Sequence, residues 1–131
     1  MNNEELINLA ISARKNAISP TKYYVGAAIL TKSGKVYTGC NLGTEDALFN
    51  ICAERTAIVK LYSEGKDEIE KIAVVGGTDG NLTFTMPCGI CRQLLLNVAP
   101  NAELICAYNE NDELKIKTFS VKELLPHSYE M

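Results

Sequence analysis

Two short segments of the chain carry residues that could bind a transition metal. The first, CAER, spans residues 52–55, and the second, PCGICRQ, spans residues 87–93. Cys88 and Cys91 are three residues apart, so they share one face if a helix begins there. Two thiolates presented in this way form half of a zinc site, and Cys52 can supply a third ligand. The fourth tetrahedral position then stays open to water, which is typical of a catalytic zinc site.

Glu54 and Arg55 follow Cys52 directly and extend the chemistry of this site. Glu54 lies close to the metal without being needed as a ligand, so it can accept a proton from water and pass it to a leaving group. Both segments are expected at helix starts, where the helix dipole favours thiolates. Three thiolates make zinc a poor Lewis acid, so we expect Arg55, supported by Gln93, to donate hydrogen bonds to the sulfurs. The alternative for Arg55 is a surface arginine.

The two segments together, 36 residues apart from Cys52 to Cys88, resemble the small homotetrameric cytidine deaminases with three cysteine zinc ligands. The resemblance implies Zn²⁺ on Cys52, Cys88 and Cys91 and hydrolytic deamination of cytidine in pyrimidine salvage. Water activated by the metal attacks C4 of the cytosine ring. Glu54 accepts a proton from this water, protonates N3 and then assists the departure of ammonia.

The resemblance also implies a set of substrate-binding residues. The segment YYVGAA at residues 23–28 is similar to one in which an aromatic side chain lies against the pyrimidine, and Tyr23 takes that place. A core tyrosine is the alternative. The backbone around Ala53 is expected to recognise the ring edge, as is that around Cys88. Tyr129 stands near the position of an aromatic residue that reaches a neighbouring subunit's site, although it could equally pack on its own chain.

The loop after the second expected strand departs from the family pattern. Relatives read Asn-x-Glu-Asn-Ala, and that Asn and Glu hold the ribose hydroxyl, whereas this chain reads NLGTEDA from Asn41. Asn41 keeps its place as a substrate-binding residue, but Gly43 replaces the Glu, which would leave a buried hydroxyl unpaired. Either Glu45 or Asp46 reaches in, or the sugar is held differently, or the substrate is a modified nucleoside. Blasticidin-S deaminases also lack the usual ribose pattern, so they illustrate the last alternative.

Composition limits the classes of partner. The chain has 131 residues and 47% hydrophobic residues, which suits a single globular domain; the resemblance implies that residues 1–131 are one zinc-dependent deaminase domain. A net charge of −3 argues against nucleic acid as a partner and favours a small, mostly uncharged substrate, which the resemblance implies to be a nucleoside. The polar start and the absence of a long apolar run predict neither a signal peptide nor a membrane span. Five cysteines in such a chain favour metal binding or buried thiols, and a cytoplasmic location.

Hydrophobic periodicity predicts the order α-β-β-α-β-α-β-β-α. The strand at residues 23–31 is apolar on both faces, so we expect it inside the sheet. Ser120 and Glu123 form a capping-box pattern for the last helix. This order, like the resemblance, predicts a three-layer α/β/α sandwich with a mixed five-stranded sheet of the cytidine deaminase type. The expected helices cover residues 3–16, 51–63, 88–98 and 120–125, and the expected strands cover residues 23–31, 36–41, 72–76, 103–108 and 114–119.

Three functional hypotheses follow from the sequence. The first is deamination of cytidine and deoxycytidine, and the second is deamination of a modified cytosine nucleoside such as blasticidin S. The third is a zinc-stabilised binding protein without turnover, against which the intact Glu54 argues. A purely structural zinc site would need a fourth ligand, for which Cys40, Cys106 and His127 are candidates by residue type.

Overall fold

The computed structural model describes residues 1–130. Three α-helices and five strands alternate in the predicted order, and three short 3-10 turns complete the chain. In chain order, the elements are α1 (Asn3–Ala13), β1 (Tyr24–Thr31), β2 (Val36–Cys40), α2 (Ala53–Glu64), β3 (Ile69–Gly77), α3 (Gly89–Val98), β4 (Glu103–Glu110) and β5 (Glu113–Ser120), with 3-10 turns at Arg14–Asn16, Ala47–Phe49 and Lys122–Leu124.

The strands form one mixed sheet in the order β2-β1-β3-β4-β5. β1 pairs antiparallel with both β2 and β3, so its predicted interior position is confirmed. β3 and β4 run parallel, with α3 in the connection between them, and β4 and β5 form an antiparallel hairpin. Asn111 and Asp112 turn this hairpin with positive φ angles of 52° and 61°, as a tight turn between right-twisted strands requires.

Alternating side chains of the central strands separate two cores. Ala27, Ile29, Ile72, Val74 and Leu104 face one side, where α2 and α3 cover them. Residues one step along the same strands face the other side, against Leu6, Ile7 and Ala10 of α1; they are Ala28, Leu30, Ala73, Val75 and Ile105. The predicted three-layer arrangement with a mixed five-stranded sheet is therefore confirmed.

The boundaries differ from the predicted ones at a few places. β3 begins at Ile69, three residues before the expected start, because its first residues pair with the end of β1 through a register shift. The predicted capping box is present, since the Ser120 N–H donates to Glu123 and the Glu123 N–H donates to Ser120. The turn that it caps is a 3-10 turn rather than a longer helix.

No helix within residues 1–130 combines the length and the apolar character that crossing a membrane requires.

Candidate metal centre and active site

The first turns of α2 and α3 meet at one end of the sheet and bring three sulfur atoms together. Cys52 is the N-cap of α2, Cys88 is the N-cap of α3, and Cys91 lies in the first turn of α3. The Sγ atoms of Cys52 and Cys88 are 3.6 Å apart, and so are those of Cys88 and Cys91. All three sulfur atoms lie within 4.8 Å of one another. The predicted ligands therefore converge although they come from two helices.

The donor set fits zinc. Sulfur atoms bound at about 2.3 Å in a tetrahedral arrangement lie roughly 3.8 Å from one another, close to the separations seen here. Among residues 1–130, no further His, Cys, Asp or Glu joins this cluster. Cys106 is buried in the sheet, Cys40 ends β2 and His127 lies in the C-terminal segment, so none of the expected candidates supplies a fourth protein ligand. Three thiolates and an open position match a catalytic site rather than a structural one.

The electrostatics of the three cysteines favour a thiolate at Cys52. A hydrogen bond from the Cys91 thiol, with further hydrogen bonds from Arg55 and Cys88, lowers the pKa of Cys52 to about 5, although burial acts in the opposite direction. The same pairing raises the pKa of Cys91 well above its usual range. The pairing of Cys52 with Cys91 therefore favours one thiolate in the cluster. A thiolate is the form that binds zinc.

Arg55 lies beside the cluster, as predicted. Its Nη2 donates to the Sγ of Cys52 at 3.8 Å and to the backbone oxygen of Asn50 at 3.2 Å. The hydrogen bond to Cys52 raises the pKa of the guanidinium, so it stays charged. Its Nε is buried and has no hydrogen-bond partner within residues 1–130. The Arg55 guanidinium therefore offers positive charge and an unused N–H donor next to the three sulfur atoms. Both suit a site whose cysteines become negatively charged thiolates.

Glu54 points into the protein rather than to the helix surface. It is 3% exposed, although it stands in the first turn of α2. Burial raises the pKa of its carboxyl to about 7. A carboxyl group with that pKa can take up and release a proton near neutral pH, which is the requirement for general acid–base catalysis.

A cleft of about 590 Å³ opens onto Glu54 and two of the cysteines. This volume lies in the range of about 300–1,000 Å³ that is usual for small-molecule sites. Most of its lining is contributed by loops and by the ends of strands. Its wall includes Tyr23, Val25, Asn41, Gly43, Glu45, Ile51, Cys52, Ala53, Glu54, Thr85, Met86 and Cys88.

Asn41 lines this cleft, but its side chain is engaged by the backbone of the neighbouring strand. Its Oδ1 accepts from the N–H of Val25 at 2.8 Å, and its Nδ2 donates to the carbonyl of Tyr23 at 3.1 Å. The amide therefore holds the entry of β1 in place. The structure brings Asn41, Tyr23 and Ala53 to one cleft, as expected from the sequence; their contacts with substrate stay predictions.

In the loop that departs from the family pattern, Glu45 and Asp46, the two candidates for contact with the sugar, have different surroundings. Asp46 accepts from the Leu48 N–H at 3.0 Å and so caps the 3-10 turn that follows it. Glu45, in contrast, lines the cleft. Gly43 packs against the preceding loop, since its N–H donates to the Ile18 carbonyl at 2.6 Å and a Cβ there would lie 3.1 Å from the same oxygen. A glutamate at position 43 would require that loop to move.

Two predicted residues lie outside this cleft within a single chain. Tyr129 is 74% exposed and lines a separate groove of about 760 Å³ between α3 and the C-terminal segment. Gln93 lines the same groove, and its Nε2 donates to Asn97 at 3.1 Å. Contact of Tyr129 with a neighbouring subunit's site, and support of the ligand sulfurs by Gln93, therefore stay predictions.

Two threonines beside the cleft were not predicted from the sequence. Thr83 and Thr85 both bond to the hydroxyl of Tyr23. They lie in a stretch between β3 and α3 that has no hydrophobic period. The one usable signal was their alternation in the segment TFT before the Pro-Cys pair.

Comparison with known proteins agrees with this geometry. The family model for the cytidine and deoxycytidylate deaminase zinc-binding region matches residues 1–107. A cytidine deaminase of Halalkalibacterium halodurans is 38% identical over 130 residues, which cover 98% of this chain and 95% of that protein. The crystal structure of cytidine deaminase from Burkholderia pseudomallei is 34% identical with a TM-score of 0.82, and the match covers 98% of this chain and 100% of that one.

A more distant relative bears on the second hypothesis. A blasticidin-S deaminase of Bacillus cereus is 28% identical over 130 residues, covering 95% of this chain and 90% of that protein. The expected fold of the cytidine deaminase type, the enzyme class and the Zn²⁺ cofactor are confirmed by the family match together with the three-cysteine cluster. The chain therefore belongs to the family of cytidine and deoxycytidylate deaminases, and it is a zinc-dependent hydrolase.

Proposed function

We propose that this protein deaminates cytidine, and also deoxycytidine, to the corresponding uracil nucleoside and ammonia. The observation that carries the proposal is the cleft in which a buried Glu54 stands beside three converging cysteines. The similarity to the cytidine deaminase of Halalkalibacterium halodurans supports it. A nucleoside is also a substrate of the size that such a cleft accepts.

Each residue of the site has a distinct part in this reaction. Cys52, Cys88 and Cys91 would hold zinc, which when bound activates water for attack on C4 of the ring. Glu54 takes one proton from the attacking water and gives it to N3. It then takes the second proton from the hydroxyl that has been added to C4 and gives it to the amino group, so that the C4–N bond breaks, the C4 carbonyl forms and ammonia leaves. Its burial excludes solvent and keeps its pKa in the range where both transfers are feasible.

We assign recognition of the substrate to groups on both walls of the cleft. The free N–H groups in the first turn of α2, including that of Ala53, suit acceptors on the ring edge. Tyr23 presents an aromatic ring to the pyrimidine. Glu45 is the acid that the loop leaves available for the sugar hydroxyls, since Asp46 is used as a cap. Asn41 shapes this wall by holding the backbone of β1.

A direct assay separates the two substrate hypotheses. The zinc-loaded protein is incubated with cytidine, deoxycytidine, cytosine and blasticidin S, and loss of the cytosine chromophore is followed by ultraviolet absorbance. We expect rapid conversion of cytidine and deoxycytidine. Conversion of blasticidin S alone would assign the cleft beside Gly43 to a modified nucleoside, and inertness toward all four compounds would refute the proposal.

We further propose that the chain is one deaminase domain over residues 1–131 that assembles as a homotetramer with shared sites. The apolar side chains of Leu48 and Phe49 are 82% and 63% exposed near the cleft, and Tyr129 is exposed at the C-terminal segment. These are suitable contacts for neighbouring subunits. Light scattering that gives the mass of a single chain would contradict this assembly.

The cellular role follows from the chemistry. Conversion of free cytosine nucleosides to uracil nucleosides belongs to pyrimidine salvage. The thiolates of the site need a reducing compartment, and we therefore place the reaction in the cytoplasm. Localisation of the tagged protein by fractionation, and growth on cytidine as the pyrimidine source, test these two assignments.

A further inference from the structure

The hydroxyl of Tyr23 joins two parts of the chain that are about 60 residues apart. It lies 2.9 Å from the Oγ1 of Thr83 and also forms a hydrogen bond with the Oγ1 of Thr85. The Oγ1 of Thr85 in turn donates to the carbonyl of Thr83 at 3.1 Å. Three hydroxyl groups and one carbonyl therefore form a compact polar cluster at the wall of the cleft.

The direction of each hydrogen bond in this cluster follows from the supply of protons. Thr85 uses its only hydroxyl proton on the Thr83 carbonyl, so its oxygen must accept from Tyr23. Tyr23 then uses its own proton on Thr85, so its oxygen accepts from the Thr83 hydroxyl. Every donor is used once in this arrangement. A phenylalanine at position 23 would leave the Thr83 donor without this acceptor and the Thr85 oxygen without this donor.

The surrounding backbone is shaped to hold the cluster. Gly76 of β3 has no side chain, and a Cβ there would lie 2.7 Å from the Oγ1 of Thr85 and 3.1 Å from the Tyr23 ring. The Thr83 N–H donates to the Gly76 carbonyl at 2.9 Å. At its other end, the Tyr23 backbone is held by Asn41. The tyrosine is therefore held by both its main chain and its hydroxyl.

The segment that the hydroxyl holds leads directly to a zinc ligand. Residues 83–88 contain no helix and only an isolated bridge to β3, yet Thr85 and Met86 line the cleft and Cys88 carries one of the three sulfurs. We propose that Tyr23 is a positioning residue whose hydroxyl holds this segment, and so sets both the cleft wall at Met86 and the place of Cys88. The part that concerns substrate rests on the proposed function.

The test compares Tyr23→Phe with Tyr24→Phe in the zinc-loaded protein. Tyr24 is the matched control because it is the next residue, is half-buried as well, and has a hydroxyl without a hydrogen-bond partner within residues 1–130. Zinc release to a chromogenic chelator is followed by absorbance. Losing one or two neutral hydrogen bonds should speed release by about three- to tenfold in Tyr23→Phe. Release from Tyr24→Phe should match that of the unmodified protein.

Kinetics with cytidine give a second readout. We expect KM of Tyr23→Phe to rise by about three- to tenfold with kcat within about twofold, because the loosened wall affects binding whereas Glu54 stands on α2. A general loss of folded protein would instead lower kcat and leave KM unchanged. Equal zinc release and equal KM in the two Phe variants would overturn the proposal.

A double-mutant cycle tests whether the hydroxyl acts through Thr85. Thr85→Ser keeps the hydroxyl and should behave as the unmodified protein, whereas Thr85→Val should release zinc as fast as Tyr23→Phe. The double variant with Val should be no worse than the poorer single variant. Additive effects would overturn the coupling. The expected pattern of zinc release in a protein inert toward cytidine would refute the proposed function and still support the role of Tyr23.

Discussion

The two walls of the cleft are built in different ways. The metal wall consists of the first turns of α2 and α3, which pack on the sheet and keep Glu54 and Cys91 buried. The opposite wall consists largely of residues 41–51 and the loop before β1, which are mostly exposed and joined by isolated bridges at Leu42. Proton transfer needs groups held within a fraction of an ångström, so it is placed on helices. Recognition needs only a suitable surface, so loops can carry it.

This contrast indicates where a change alters chemistry and where it alters substrate choice. The metal wall contains groups that act as a unit, and removing one of them disables the others. To the loop wall we assign groups that contact different parts of the substrate separately. Changes in the first wall should therefore act mainly on turnover or zinc content, and changes in the second mainly on KM. Tyr23 is the exception, because its hydroxyl also holds the segment that leads to Cys88.

The largest effect is expected at the metal wall from Cys91→Ala. Removal of one of three protein ligands should reduce bound zinc to a small fraction of one ion per chain and make activity undetectable. Cys40→Ala is the matched control, since Cys40 lies at the end of β2 outside the cluster. Atomic absorption on both variants measures the zinc. Full zinc occupancy in Cys91→Ala would show that this sulfur is not a ligand.

Glu54→Gln should have the next largest effect. The amide keeps the shape of the side chain but cannot accept a proton, so kcat should fall by about 10²- to 10⁴-fold while zinc content stays unchanged. Glu64→Gln, at the exposed end of the same helix, serves as the control and should retain full activity. Turnover of the Glu54 variant within tenfold of the unmodified protein would remove Glu54 from its proposed role.

Gly76→Ala tests the point where the two walls meet the sheet. The added Cβ would lie 2.7 Å from the Oγ1 of Thr85, so Tyr23 or the 83–88 segment must shift, at a cost of about 1–3 kcal/mol in the free energy of unfolding. Gly89→Ala meets no atom within 4 Å and should change stability little. Urea unfolding of both variants gives the comparison. Equal urea midpoints for the two variants would mean that the cluster of Tyr23 and Thr85 can accommodate an added Cβ at position 76 without strain.

The smallest effect is expected at the loop wall. If Glu45 accepts from a sugar hydroxyl, Glu45→Gln should raise KM for cytidine by about three- to tenfold and leave kcat nearly unchanged. Asp46→Asn keeps an oxygen that can cap the Leu48 N–H, so it should behave as the unmodified protein. A larger effect in Asp46→Asn than in Glu45→Gln would reverse the assignment of the two acids.

Local patterns in the sequence were enough to predict most of the metal wall. The spacing of Cys88 and Cys91, and the placement of Cys52 and Glu54 at a helix start, depend only on helical geometry over a few residues. The element order and the mixed sheet were predictable for the same reason, since periodicity and turn residues are local. The two short cysteine motifs then predicted that the starts of α2 and α3 lie side by side, because their cysteines were expected to bind one zinc ion.

The rest of the cleft depends on contacts between distant residues. Gly76 accommodates Tyr23 and Thr85 only because β1 and β3 pair in one register, which places Val25 beside Gly76. The sequence could not show that both ends of the Asn41 amide are used by β1. It also could not choose between Glu45 and Asp46, because that choice depends on which of them caps the following turn.

The distance along the chain between Cys52 and Cys88 has a consequence for folding as well as for catalysis. Zinc bound to both residues would close a loop of 36 residues that contains α2 and β3, the middle strand of the sheet. A cross-link over a loop of that length lowers the conformational entropy of the unfolded chain and so raises the free energy of unfolding by about 4 kcal/mol. The ion would therefore be a reversible cross-link across the centre of the domain. Removal of zinc by a chelator should lower the unfolding midpoint of the whole protein together with its activity.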